Sequence, residues 1–313
     1  MYANSSEHNT GMNTTSNIRT DLALESQERF VRDNVEIHGV IVEQYDDTER
    51  EITVSRVVIE SEKGAKAMGK PKGTYITLES PNLAVPDEDY HREVSVLLSK
   101  ELQKLLPLEL SGDCSVLVVG LGNRMVTADS LGPLVSDNLL ITRHIVKEYG
   151  RLALDKSYVH EISSIVPGVM AQTGMETFEI IKGIIEKTCP DAMIAIDALA
   201  ARSTKRLNRT IQLADTGIHP GSGVGNHRNM LSKESLGIAV ISIGVPTVVE
   251  AAAIIHDAHG DESITPHLNG MYVTPKDIDE SVKRLSFTIF KASNAFALLS
   301  PAAEIMPTIS CSN

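Results

Sequence analysis

Two carboxylates stand where an acid–base pair could be assembled. Asp129 follows the apolar segment Ser115–Gly120 by a short loop, and Asp197 follows directly on Ala192-Met193-Ile194-Ala195-Ile196. In open α/β sheets ligands bind beyond the carboxyl ends of the strands, so two such positions can reach one crevice. Two close carboxylates cannot both ionise easily, so one keeps a proton. The ionised member can then activate water while the protonated one donates a hydrogen bond to a carbonyl, which is chemistry for hydrolysing an amide. Each residue also has a plainer reading as a helix N-cap, ahead of Ser130-Leu131 and Ala198-Leu199. Spacing alone favours the cap for either residue taken singly; two on one sheet edge shift the balance toward a site.

Other candidates are weaker. Gly120-Leu121-Gly122-Asn123 resembles the opening of a dinucleotide fingerprint, but position 125 is Met125 instead of a third glycine. A tight turn that needs glycine is the better reading. The stretch Gly217–Gly225 is glycine-rich and lacks the Lys-Ser/Thr of a phosphate loop, so it reads as a shaped loop lining a cleft, with His219 and Gly221 in it. His219 is the best single metal-ligand candidate, although no metal is expected. His256 and His259 suit a helix C-terminus, where a His complements the dipole. Arg202, Lys205, Arg206 and Arg209 form a local basic cluster, either a solvated face or an anchor for an acidic substrate residue. There is no GxSxG, no HExxH and no paired CxxC; Cys114, Cys189 and Cys311 read as incidental thiols.

The elements that must position these residues follow from hydrophobic patterning. Short β-like pieces occur at Val35–Val42, Ile52–Ile59 and Thr74–Leu78, with a helical candidate at Glu62–Met68. Asp87–Leu106 carries an i, i+3, i+4 apolar stripe closed by Pro107. Beyond residue 115, continuous apolar strands alternate with helices expected near Pro133–Val146, Glu176–Lys187, Thr247–His256 and Lys276–Leu299. Strands apolar on both faces require helices on both faces. The expected fold is therefore α/β: a mostly parallel central sheet flanked by helices, with a small N-terminal β-rich region.

Composition narrows the function. The formal net charge is −12, and aromatic residues make up 4% with no Trp, which argues against direct nucleic-acid binding. No run is long and apolar enough to span a bilayer, and no signal peptide is visible, so a soluble, cytoplasmic protein without a membrane partner is expected. Residues 1–17 are dominated by Asn, Ser and Thr and bury too little to order themselves, giving a flexible tail.

Several segments together carry a resemblance: Gly120–Asn123, Thr127-Ala128-Asp129-Ser130-Leu131-Gly132-Pro133, Ser164–Met170, Ile196-Asp197-Ala198-Leu199-Ala200 and Asp215–Asn226. The chain resembles the germination proteases of spore-forming bacteria from about residue 18 to residue 299, and Gly120–Gly132 is also similar to hydrogenase maturation proteases. The resemblance implies an endopeptidase that begins the degradation of small, acid-soluble spore proteins at germination, in the spore core or forespore. It implies a zymogen, autocatalytic cleavage, a homotetramer and no cofactor. The family's proposed catalytic aspartates fall on Asp129 and Asp197. Its processing site falls on Arg19-Thr20-Asp21-Leu22-Ala23, with the cut between Asp21 and Leu22, making 1–21 a propeptide and 22–313 the catalytic α/β domain. An acidic residue before the cut suits a cationic subsite, for which Arg202 and its neighbours are the candidates. Two alternatives remain: a metal-dependent peptidase of the hydrogenase-maturation type, using Asp129, Asp197 and His219 as ligands, and a peptide-binding α/β protein without activity.

Overall fold

A computed structural model describes residues 20–32, 37–106, 114–154, 159–221, 229–259, 268 and 270–298. The tail 1–17, most of the glycine-rich loop after Gly221 and residues 300–313 lie outside the described residues, as do the side chains of His256 and His259.

In chain order the elements are α1 (Ala23–Arg32), β1 (Val40–Asp47), β2 (Ile52–Ile59), α2 (Glu62–Met68), β3 (Gly73–Glu79), α3 (Glu88–Leu105), β4 (Ser115–Gly120), α4 (Leu131–Asp137), α5 (Arg143–Tyr149) and β5 (Glu161–Ile165). Then follow α6 (Met170–Thr173), α7 (Thr177–Thr188), β6 (Ala192–Ala201), β7 (Thr210–Ala214), α8 (Lys233–Leu236), β8 (Ala239–Glu250), α9 (Ala251–His259), β9 (Tyr272–Val273) and α10 (Ile278–Leu298).

One sheet runs β1-β2-β3-β7-β8-β6-β4-β5, with β9 on β8. The segment β8-β6-β4-β5 is parallel. The N-terminal strands β1, β2 and β3 are antiparallel, and they join that sheet through β7, itself antiparallel to β3 and β8. The N-terminal β region is thus continuous with the central sheet.

The apolar runs of β4, β6 and β8 follow from burial on both faces. Val116, Val118, Ile194, Ile196, Ile241 and Ile243 pack with α3, α4 and α10. Leu117, Val119, Met193, Ala195 and Val240 alternate with them and pack with Ile181 and Ile185 of α7 and Ala253 of α9.

Three expected boundaries move. The helix expected over Pro133–Val146 is two helices. Between them Leu140 donates to Asn294 Oδ1 at 2.7 Å, and the Thr142 hydroxyl accepts from the Ile162 N–H at 2.8 Å. Tertiary bonds have replaced the helical ones there. The helix expected from Thr247 begins at Ala251, because the β-branched residues Thr247, Val248 and Val249 extend β8 beside Ala200, Ala201 and β9. The first β piece starts at Val40.

The thiols differ sharply. Cys114 is buried, its Sγ lies 3.0 Å from His160 Nδ1, and its pKa is pushed up to about 12 by burial and then by Asp191. Cys189 is exposed. A thiol reagent at pH 8 is expected to modify Cys189 and to reach Cys114 only in denaturant, read by peptide mass mapping. Rapid native labelling of Cys114 would contradict this packing.

Candidate active site

The site forms where β4 ends and its neighbour continues. β4 stops at Gly120, opposite Ile196, while β6 runs on to Ala201. The chain passes from β4 to β5 on one side and returns to β6 on the other, so the crevice past Gly120 is a topological switch point, the usual ligand position in such sheets.

Asp129 lies in a single 3-10 turn, Thr127–Asp129, ahead of α4. Its Oδ2 accepts from the Asn123 N–H at 2.8 Å, and its backbone oxygen accepts from the same N–H at 3.0 Å. Asp197 lies inside β6, paired in register with Gly244, and is 4% exposed; its Oδ1 accepts from the Ala198 N–H at 2.9 Å. Neither aspartate caps a helix. The sequence places Asp197 at a strand end, whereas β6 continues four residues further.

The turn at Gly120-Leu121-Gly122 brings the two parts together. Gly122 has φ +106°, and a Cβ there would stand 2.1 Å from the Asp129 backbone oxygen and 3.0 Å from its Oδ1. Gly122→Ala therefore forces Asp129 to move as well as straining the backbone by about 1–3 kcal/mol. We expect both a lower melting temperature and loss of peptidase turnover. Gly237→Ala, also at positive φ but with nothing within 4 Å of the added Cβ, should cost stability and leave turnover alone. Full activity in Gly122→Ala would contradict the close approach.

A cavity of about 280 Å³ is lined by Asp129 and Asp197 together with Gly122, His219, Gly221, Thr247 and Asp21. Five expected site residues, Asp21, Asp129, Asp197, His219 and Gly221, thus share one cavity. Among the described residues no three His, Cys, Asp or Glu side chains cluster as a metal-ligand set.

Asp21 and Leu22 meet this wall. Past the end of β4, Asp21 takes the open flank of β6: its N–H donates to the Ala200 oxygen at 3.0 Å, and Ala200 N–H donates to Asp21 Oδ2 at 2.9 Å. A register shift at Leu199/Ala200, beside Pro246 of β8, lies next to this contact; bulges commonly re-aim a strand in this way. Leu22 has no exposed surface and packs into the core with Leu121 and Leu199.

Two residues that sequence reasoning did not single out hold the same segment. Lys70 Nζ donates to the Asp21 oxygen at 2.9 Å and the Thr20 oxygen at 3.1 Å. Gln212 donates to the Asp21 oxygen at 3.2 Å, and its Oε1 accepts from Ala23 N–H at 2.8 Å. Withdrawal from water pulls the Lys70 pKa down, against the charges of Asp21 and Glu25. A lysine held between Gly69 and Pro71 carries no sequence signal of this role.

Arg202 is not part of the cavity wall. Its backbone N–H donates to Glu25 Oε2 at 2.7 Å. Arg206 pairs with Glu28 at 2.6 Å, Glu79 at 2.8 Å and Glu25 at 3.4 Å. The basic cluster's central member is thus committed to fastening α1.

Comparison with known proteins identifies the family. The sequence pattern of the family described as germination protease matches residues 18–260. A germination protease of Caldanaerobacter subterraneus is 41% identical over 88% of this chain and 93% of its own length. One from Clostridium perfringens is 42% identical over 89% and 94%. One from Bacillus cytotoxicus is 49% identical over 77% of this chain and 65% of its own. A [NiFe] hydrogenase maturation protease from Thermococcus kodakarensis superposes with a TM-score of 0.32 at 20% identity, over 61% of this chain and 97% of that one, too loosely to carry an argument. Among the described residues no helix is long and apolar enough to cross a membrane. The chain belongs to the germination protease family and is a peptidase.

Proposed function

We propose that this peptidase opens the degradation of small, acid-soluble spore proteins at germination, in the spore core or forespore, as a homotetramer matured by its own cleavage between Asp21 and Leu22. Residues 1–21 are then a propeptide and 22–313 the catalytic domain. The observation that carries this reading is that Asp21 lines the same cavity as Asp129 and Asp197.

The carboxylates act as a pair sharing one proton. The ionised member takes a proton from water as the water oxygen adds to the carbonyl carbon of Asp21. The Asp21 oxygen already accepts from Lys70 and Gln212, so the protonated member can serve the departing Leu22 nitrogen. The C–N bond then breaks, leaving a carboxyl on Asp21 and an amine on Leu22. The pair titrates as a unit, so neither role belongs to one residue.

This chemistry asks for no metal. Exhaustive chelation is expected to leave hydrolysis of a small, acid-soluble spore protein at its starting rate. Loss of activity restored by a divalent ion would favour Asp129, Asp197 and His219 as ligands instead.

A further inference from the structure

A peptide carbonyl marked for cleavage needs somewhere to put the negative charge it gains. We propose that Lys70 and Gln212 form the oxyanion site for the bond between Asp21 and Leu22, an assignment that rests on reading that bond as the cut. Addition of water turns the Asp21 carbonyl oxygen into an oxyanion, and donors about 2.7–3.1 Å from that oxygen stabilise it most when fixed beforehand and shielded from water. Lys70 Nζ meets this requirement at 2.9 Å, and Gln212 Nε2 lies just outside it at 3.2 Å.

Both donors are fixed by the fold. Gln212 is 7% exposed in the middle of β7, and its other amide atom is occupied by the Ala23 N–H. Lys70 follows the left-handed cap of α2 at Gly69 and is held a second time by the Thr20 oxygen. Its protonated form adds a positive charge, opposed by burial and favoured by Asp21 and Glu25, where Gln212 brings only a dipole.

The placement relative to the aspartates also fits. Asp21 lines two cavities: that of Asp129 and Asp197, and a smaller one of about 70 Å³ whose walls include Lys70 and Gln212. The carbonyl can therefore be served by the donors from one cavity while water and the carboxylate pair work from the other. Lys70 is 49 residues from Asp21 in sequence, and the antiparallel N-terminal strands carry it there. This gives that β region a part in the chemistry: the loop between α2 and β3 supplies the Nζ donor.

The experiment follows self-cleavage of the purified full-length chain by intact mass, in the wild type and in Lys70→Met, Lys70→Gln, Lys70→Arg and Gln212→Met. Lys70→Met should slow loss of residues 1–21 by about a hundredfold to a thousandfold, the usual effect of removing one oxyanion donor. Lys70→Gln, which keeps a donor without the charge, and Lys70→Arg, which keeps the charge on a different fork, should each fall between. Gln212→Met should slow cleavage by about tenfold or more. Thermal unfolding of each variant separates chemistry from folding: a structural role would make rates follow melting temperature, whereas an oxyanion role orders them by donor and charge. Should Lys70→Met not fold, Lys70→Gln and Lys70→Arg carry the same comparison. A wild-type cut at Asp21–Leu22 with all Lys70 variants within threefold of it overturns the oxyanion site alone. A wild-type cut at another bond, or none, overturns the processing reading and this site with it.

Discussion

Asp129→Asn and Asp197→Asn should each slow both self-cleavage and turnover of an Arg-Thr-Asp-Leu-Ala peptide by about a hundredfold to ten-thousandfold, the range for losing a general acid or base. The substitutions are isosteric. An Asn oxygen can still accept from the Asn123 N–H at position 129 and from the Ala198 N–H at position 197, the bonds that orient the two carboxylates. What Asn cannot do is ionise or lend a proton. Circular dichroism and melting temperature should therefore match the wild type while the rate collapses. A variant that cuts at a near-normal rate would show its aspartate to be structural.

Arg206→Met should destabilise the chain by about 3–5 kcal/mol, the cost of leaving a buried charge without its partner. The Arg206 side chain is 10% exposed and faces Glu25, itself 3% exposed, as well as Glu28 and Glu79. Burial alone would lower the Arg206 pKa, but hydrogen bonds and charge from Glu28 and Glu79 raise it overall, so the guanidinium stays charged. These contacts tie α1 to β3 and to the turn between β6 and β7, and α1 begins one residue after Leu22. The ion cluster would thus keep the mature amino terminus docked once residues 1–21 are gone. Lys205→Met, at an exposed neighbour in the same basic cluster, should change stability by no more than about 0.5 kcal/mol. Equal effects of the two substitutions, read by denaturant unfolding, would contradict the assignment.

Much of the parallel region was legible because local pattern and burial agree there. Val116–Val119 is apolar at every position since both faces are covered, and the α3 stripe reads directly onto its packed face. Asp129 and Asp197 were placed toward one crevice because each follows an apolar strand, and the structure puts both on one cavity wall. Where tertiary contacts override local pattern, the reading slipped. Thr247–Glu250, Thr-Val-Val-Glu, could be helix or strand by local pattern, and only pairing with β6 and β9 decides it. The last residues of β6 have a partner on one flank in β8 and on the other in Asp21, which no local window contains. Lys70 and Gln212 were invisible for the same reason: their importance lies in one carbonyl oxygen far away in sequence. Within the basic run Arg202–Arg209, the commitment of Arg206 was hidden because its acidic partners, Glu25, Glu28 and Glu79, come from distant segments.

The most direct test of the account is amino-terminal sequencing and intact mass of the purified chain over time, beside its Asp197→Asn variant. The account predicts that the wild type loses residues 1–21 and begins at Leu22, while the variant keeps its full mass. A stable new terminus at any other residue, or the same cut appearing equally fast in the variant, would contradict it.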